Sequence, residues 1–306
     1  MRSSRVPESD QHADGSTEPA LDRTPPARAR AEYFVELRDV HKSFGPKHVL
    51  RGVDLAIRSG EIFTLLGGSG TGKSVMLKHM IGLMRPDRGS VIVEGRDTGA
   101  FRERDWVETR QEIGFVFQGG ALFDSLSVAD NIAYALREHR RPTDREVADR
   151  VAECLSAVGL SGIERLMPAE LSGGMRKRVA VARAIVLEPR AIFYDEPTTG
   201  LDPTNSKRIG ELIESLQARL GATSIVVTHE LELCFEISNR IGLLAEGRMV
   251  ACGTPDEIRA SERDDVRAFL SAGPSLEADS VWITEPGSAT IPDAAAESEK
   301  GTRDGA

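Results

Sequence analysis

Gly67-Gly68-Ser69-Gly70-Thr71-Gly72-Lys73-Ser74 decides how the rest of the chain is read. Ahead of it lies an apolar run, Ile62-Phe63-Thr64-Leu65-Leu66, which predicts a buried strand. Behind it, Val75 to Leu83 repeat apolar residues at helical spacing. Strand, glycine loop and helix are the context in which G-x-x-x-x-G-K-[ST] describes a phosphate site rather than a chance string. Glycines permit a tight turn that points successive backbone N–H groups at phosphate oxygens. The helix start adds unpaired donors and the positive end of its dipole. Lys73 has the reach for β- and γ-phosphates, and the Ser74 hydroxyl suits Mg²⁺. A plain strand-to-helix turn has no use for Lys-Ser at this point.

Upstream of the loop, Val35 and Leu37 alternate with Glu36 and Arg38. Beyond a turn at Gly45-Pro46, Val53, Leu55 and Ile57 alternate with polar neighbours. Period two with one polar face predicts half-exposed antiparallel strands. Downstream, Ser90–Val93 predicts a further strand, the charged stretch 96–112 a helix, and Ile113–Gln118 an apolar strand ending in an amide. Helical spacing then runs through 128–161, and Leu171-Ser172-Gly173-Gly174-Met175 opens another helix reaching about Leu187. Ala191–Glu196 and Ser224–His229 are two more apolar strands, with Ile209, Leu212, Ile213, Leu216 and Leu220 at helical spacing between them. Alternating β and α elements predict an α/β fold with a mostly parallel core sheet, preceded by an antiparallel part and interrupted by a helical insert at about 119–187. In such sheets, polar groups at strand ends lie where ligands bind.

Those strand ends carry the chemistry. The strand ending in Asp195 and Glu196 is expected beside the phosphate-loop strand. One acid can hold Mg²⁺, directly or through water, and the next can deprotonate an attacking water; the alternative is a pair of surface acids before a Pro-Thr-Thr-Gly turn. Gln118 suits Mg²⁺ or the attacking water, or is a solvated strand end. His229 is a structural histidine or a hydrogen-bond partner of a γ-phosphate. Phe44 stacks on a nucleotide base or fills the bend of its hairpin. Ser172 is a good N-cap, and Gly173 and Gly174 expose backbone N–H groups at a helix start, giving either a second anion site or a simple capped helix.

Composition narrows the class. The chain has 306 residues, 40% hydrophobic and 28% charged, as expected of a globular protein. No uncharged apolar run approaches the roughly 18–20 residues that span a bilayer. The N-terminus has no apolar core of a secretory signal. Cys154, Cys234 and Cys252 are scattered without metal-ligand spacing, which fits reduced thiols in a cytosolic protein. Net charge is −9, with −5 of it in residues 271–306. This distribution is not the basic footprint of a nucleic-acid binder. Residues 1–31, with five acids against five arginines and few apolar side chains, predict a disordered leader; residues 273–306 predict an acidic, disordered tail in which Trp282 and Ile283 are the exception.

Taken in order, Phe44, the Gly67–Ser74 loop, Gln118, Leu171–Gly174, Asp195-Glu196, Gly200-Leu201-Asp202 and His229 closely resemble the nucleotide-binding subunits of ABC transporters, over roughly residues 33–272. The resemblance implies a RecA-like P-loop core as residues 32–272, ATP and Mg²⁺ as ligands, and a head-to-tail homodimer. In that arrangement each ATP lies between the phosphate loop of one chain and the Ser172-Gly173-Gly174 helix start of the other. Phe44 then stacks on adenine, Glu196 is the general base and His229 senses the γ-phosphate. Ser74, Gln118 and Asp195 hold Mg²⁺, and Asp202 links the two sites. Gly119–Val128, Asn131–His139 and Leu166–Glu170, with Met175 where most relatives carry glutamine, are similar to the ATPases of Mla/Mce-type phospholipid transport systems. This branch implies a separate integral membrane permease, lipid-binding Mce-type and small regulatory subunits, and a place on the cytoplasmic face of the inner membrane. Another cargo, such as amino acids or metals, is the alternative. Val75 departs from the usual threonine after Ser74, which still supplies the hydroxyl.

Overall fold

The computed structural model describes residues 31–140 and 142–272. The expected leader, apart from Ala31, and the expected acidic tail with Trp282 and Ile283 lie outside the described residues.

The chain enters through a long hairpin, β1 (Tyr33–Phe44) and β2 (Lys47–Arg58), closed at Gly45 with φ +59°. The register pairs Val35 with Ile57, Leu37 with Leu55 and Val40 with Val53, so the period-two residues share one buried face. The phosphate-loop strand β3 (Ile62–Leu66) follows, buried at all five positions, and leads into α1 (Lys73–Met80). Next come β4 (Arg88–Val93) and the two-residue β5 (Arg96–Asp97), a 3₁₀ turn at Thr98–Ala100, α2 (Glu103–Gln111) and β6 (Ile113–Val116). Helices α3 (Val128–His139), α4 (Asp144–Ala157) and α5 (Gly173–Ala184) occupy the stretch expected to be helical. The remaining elements are β7 (Ala191–Asp195), α6 (Pro203–Leu220), β8 (Thr223–Thr228), α7 (Leu231–Ile237), β9 (Arg240–Ala245), β10 (Arg248–Gly253), α8 (Pro255–Arg259) and α9 (Asp264–Ala272).

Two sheets result. The first is antiparallel, ordered β2-β1-β4-β5; the second is ordered β10-β9-β3-β8-β7-β6, parallel except for β10. The parallel strands are apolar on both faces because both are covered. Phe63, Leu65, Phe193, Ile225 and Val227 pack with Met76, Leu77 and Met80 of α1 against the antiparallel sheet. Ile62, Ile192, Tyr194 and Val226 pack on the other face with α3–α6.

Four local expectations are corrected. The strand carrying Asp195 is not beside β3: β8 lies between them, with Leu66 opposite Thr228 and Asp195 opposite Val227. Hydrophobic periodicity specifies that a strand is buried on both faces but not which strand it pairs with. Within 96–112 only Glu103–Gln111 is α-helical; Arg96 pairs with Val93 and Asp97 with Ile92, and the Asp97 side chain caps the 3₁₀ turn by accepting from Gly99 N. The strand before Gln118 ends at Val116, so the amide stands in a loop rather than at the strand end. The helical stretch at 128–161 is also divided: α4 starts afresh at a capping box formed by Thr143 and Glu146.

Candidate nucleotide site

The loop between β3 and α1 is shaped by its glycines. A Cβ at Gly67 would lie 2.4 Å from the Leu244 carbonyl, so β9 leaves room only for hydrogen. Gly72, the N-cap of α1, has φ +107°, a conformation L side chains rarely adopt. No side chain caps this helix, and its first turn holds no acid; its free N–H groups and dipole therefore favour an anion from elsewhere. Lys73 is 7% exposed, with Nζ donating to the carbonyls of Gly67 at 2.7 Å and Gly68 at 2.8 Å. Glu196 Oε1 is 3.8 Å away. Burial pushes the Lys73 ammonium below its ordinary pKa, against the pull of the Glu196 and Asp195 charges.

Ends of the neighbouring strands converge on this loop. Although β8 intervenes, Ser74 Oγ donates to Asp195 Oδ1 at 3.3 Å. Burial raises the Asp195 carboxyl, opposed by the Ser74 hydrogen bond and reinforced by the Glu196 charge. Glu196 follows β7 at φ +50°, a costly conformation for an L residue. Its N–H donates to the Val227 carbonyl at 2.9 Å, and its Oε2 lies 2.8 Å from His229 Nδ1. Phe44, Lys73, Ser74, Gln118, Glu196 and His229 line one cleft of about 570 Å³, together with Ser69 and Gly70. Phe44 stands at its edge, 48% exposed, so it is not the core residue of its bend. Gly68 and Thr71 brace the loop from within: Thr71 Oγ1 donates to the Gly68 carbonyl at 3.0 Å.

The other expected group lies apart. Ser172, Gly173, Gly174 and Asp202 do not line that cleft. Ser172 caps α5 by accepting from Met175 N, and Asp202 caps α6 by accepting from Asn205 N at 3.0 Å. Asn205 joins the two starts: its side-chain amide donates to Asp202 at 2.5 Å, and its Oδ1 stands 3.4 Å from the Cβ position of Gly174. The Asn205 backbone and side-chain donors hold the Asp202 carboxyl below the usual range.

A hydroxyl, an amide and a carboxylate are hard oxygen donors, and Ser74, Gln118 and Asp195 fit Mg²⁺ held jointly with phosphate oxygens. Among the described residues no cluster of three His, Cys, Asp or Glu could hold a metal ion.

Sequence reasoning missed Lys177 on α5. It is 7% exposed, and Nζ donates to the backbone carbonyls of Gln118 and Glu196. Set in the run Arg176-Lys177-Arg178, it reads as part of a solvated basic face. Only the inward residues three and four places on, Ala180 and Val181, which share its helix face, hint otherwise.

A sequence profile described as ABC transporter matches residues 50–199. The probable ribonucleotide transport ATP-binding protein mkl of Mycobacterium tuberculosis is 41% identical over 269 residues, covering 84% of this chain and 75% of mkl. The intermembrane phospholipid transport system ATP-binding protein MlaF of Escherichia coli is 37% identical, covering 78% and 88%. The methionine import ATP-binding protein MetN of Mesorhizobium japonicum is 38% identical, covering 80% and 68%. Among solved structures, the dimeric post-hydrolysis state of the ATP-binding cassette MJ0796 bound to ADP and Pi superposes with a TM-score of 0.67 at 32% identity, covering 72% of this chain and 98% of the cassette.

Proposed function

Since this chain belongs to the ATP-binding subunits of ABC transporters, we propose that it is one half of a paired ATPase that drives phospholipid movement through a separate membrane permease. Subunits of this family hydrolyse ATP with Mg²⁺, dimerise and pair with permease components. In this chain Lys73 and the amides of Gly70–Ser74 hold the β- and γ-phosphates. Phe44 offers its ring to adenine, and Ser74, Gln118 and Asp195 hold the Mg²⁺, which neutralises phosphate charge. Glu196 accepts the proton of the attacking water, and His229 fixes the Glu196 carboxylate while facing the γ-phosphate. The observation that carries this reading is the meeting of Lys73, Glu196 and His229 in one cleft, while Ser172–Gly174 start a helix outside it. In this reading that start, with Asp202, serves a second copy's nucleotide.

No helix among the described residues is long and apolar enough to cross a membrane, so in this reading the permease supplies the span and the chain attaches at its cytoplasmic face. Its docking surface is a groove of about 470 Å³ lined by Phe115, Phe117, Phe123 and Tyr134. Phe117, Phe123 and Tyr134 are 44%, 44% and 46% exposed. Exposed aromatics gathered in one groove support a protein partner. Phe123→Asp is expected to abolish co-purification of the permease while ATP affinity stays unchanged; permease recovered at the wild-type level contradicts this surface.

Phospholipid as cargo is supported by the similarity to MlaF, which spans nearly all of that protein; with it come Mce-type lipid-binding and small regulatory subunits as partners. The similarity to MetN favours an amino-acid cargo as the second reading. Purification from membranes with bound partners, followed by extraction and identification of small molecules, separates the two. Co-purified phospholipid supports the first reading; a complex that yields none, and whose ATPase responds to an amino acid, favours the second.

A further inference from the structure

Lys177 is a buried cation to which the proposed mechanism gives no task. It lies on α5, five residues beyond the Ser172 cap; it does not line the cleft at Lys73 but lines the neighbouring pocket with Gln118, Gly173 and Thr199. Its ammonium is taken out of water, an unfavourable placement that persists only with strong compensation. The compensation comes from two backbone carbonyls, those of Gln118 and Glu196, with the latter at 3.4 Å. Burial lowers the pKa of the amine, and the Glu196 charge opposes that shift.

Its two acceptors are unusual choices for a merely structural lysine. Glu196 sits in the left-handed region, a conformation that holds only where the surroundings over-determine it. The Val227 carbonyl fixes its N–H, His229 and the Thr199 hydroxyl fix its carboxylate, and Lys177 shares its carbonyl with the Thr199 N–H. Gln118 belongs to the loop after β6, with no regular structure to hold it, and the same ammonium binds its carbonyl. One side chain therefore ties together the two segments that face an attacking water, and it does so from the helix that begins at Ser172-Gly173-Gly174.

We propose that Lys177 is a positioning residue that sets Glu196 and Gln118 for water attack and makes their alignment depend on where the Ser172–Gly174 helix start sits. The inference rests on the reading of Glu196 as base and of that helix start as the contact to a second copy. A shift of α5 on engaging the neighbour's phosphates moves Nζ, and with it both carbonyls, so the base is aligned only when the twin has closed.

The full-length chain is assayed as wild type, Lys177→Met, Lys177→Arg and Glu196→Gln. Lys177→Met should keep its ATP Kd within about 2-fold, lose at least about 10-fold in kcat, and show a Hill coefficient for ATP that falls to about 1. Lys177→Arg, which keeps charge and donors, should return kcat to within about 3-fold of wild type. If Lys177→Met fails to fold, Lys177→Gln carries the same comparison, with the loss again in kcat rather than Kd. A wild-type kcat in Lys177→Met while Glu196→Gln is inactive overturns this inference alone. Parallel loss of kcat and ATP affinity without rescue by arginine also overturns it, because that pattern describes a packing role. Wild-type turnover in Glu196→Gln overturns the reading of the base and this inference together.

Discussion

The two glycine-rich helix starts, at Lys73 and at Gly173, differ in what surrounds them. The first has no side-chain cap and begins at a left-handed glycine. It lies beside a buried lysine and two crowded acids, Asp195 and Glu196, one of them in a disfavoured backbone conformation. The second is relaxed: Ser172 caps it in an ordinary extended conformation, Gly173 is exposed and Gly174 half-buried, and the pocket beside it is lined by Gly173, Arg176, Lys177 and Leu201 rather than by Asp195 or Glu196. Backbone strain and perturbed pKa values gather at functional sites. In the proposed function the capped start is a binding surface for a ligand held by another molecule. On that proposal a single chain carries a chemical half-site and a complementary half-site, with Gln118 lining both pockets.

The largest effect expected from breaking this asymmetry is at the strained half. Glu196→Gln should lower turnover by about 10²–10⁴, the value of a positioned base. It should leave ATP affinity intact and accumulate an ATP-bound dimer by size-exclusion chromatography. Near-normal phosphate release would remove Glu196 from that role. A smaller effect belongs to the cleft edge: Phe44→Ala should weaken ATP binding by about 0.5–1.5 kcal/mol, the range for an aromatic pair. A base-free triphosphate, which has no ring to stack, should bind variant and wild type alike, and equal losses for it and ATP contradict stacking.

The smallest effect sharpens the electrostatic side of the comparison. Burial raises the folded pKa of Asp195, so its ionised form costs stability at every pH above that value. The cost shrinks as pH falls through it and is gone below the ordinary carboxylate range. In the nucleotide-free protein, Asp195→Asn should raise Tm at neutral pH, with the gain fading on acidification, while Mg²⁺-dependent turnover falls. A Tm gain that does not change with pH contradicts the assignment. Asp202, at the relaxed start, is shifted the other way by its capping bonds and has no such cost to remove.

The sequence discloses the strained half readily because its chemistry is local. A glycine loop between β3 and α1, and acids or histidine at or just past the ends of β7 and β8, need only short-range patterns to be seen. The antiparallel hairpin is equally plain from Val35, Leu37, Val53, Leu55 and Ile57. Strand order is different in kind: that β8 separates β7 from β3 follows from how crossovers stack, and no periodicity records it. The β9–β10 hairpin went unread although Glu246 and Gly247, both at positive φ, make the turn that suits a tight hairpin. Gly242 obscures its first strand; there a Cβ would lie 2.6 Å from the Phe63 ring, a close approach visible only in three dimensions. Lys177 was hidden for the same reason, since burial of a charged residue inside a basic run is a tertiary fact.

The central claim is that each nucleotide is enclosed by two chains, and complementation tests it most directly. Lys73→Ala and Ser172→Arg are each purified, assayed alone, then mixed. A mixed dimer contains one composite site made of an intact loop from one chain and an intact Ser172 start from the other. The account predicts that each variant is inactive alone and that the mixture recovers up to about one quarter of wild-type turnover under random pairing of a twofold dimer. A mixture no more active than the sum of its parts would contradict it, because a site closed within one chain cannot be repaired by its neighbour.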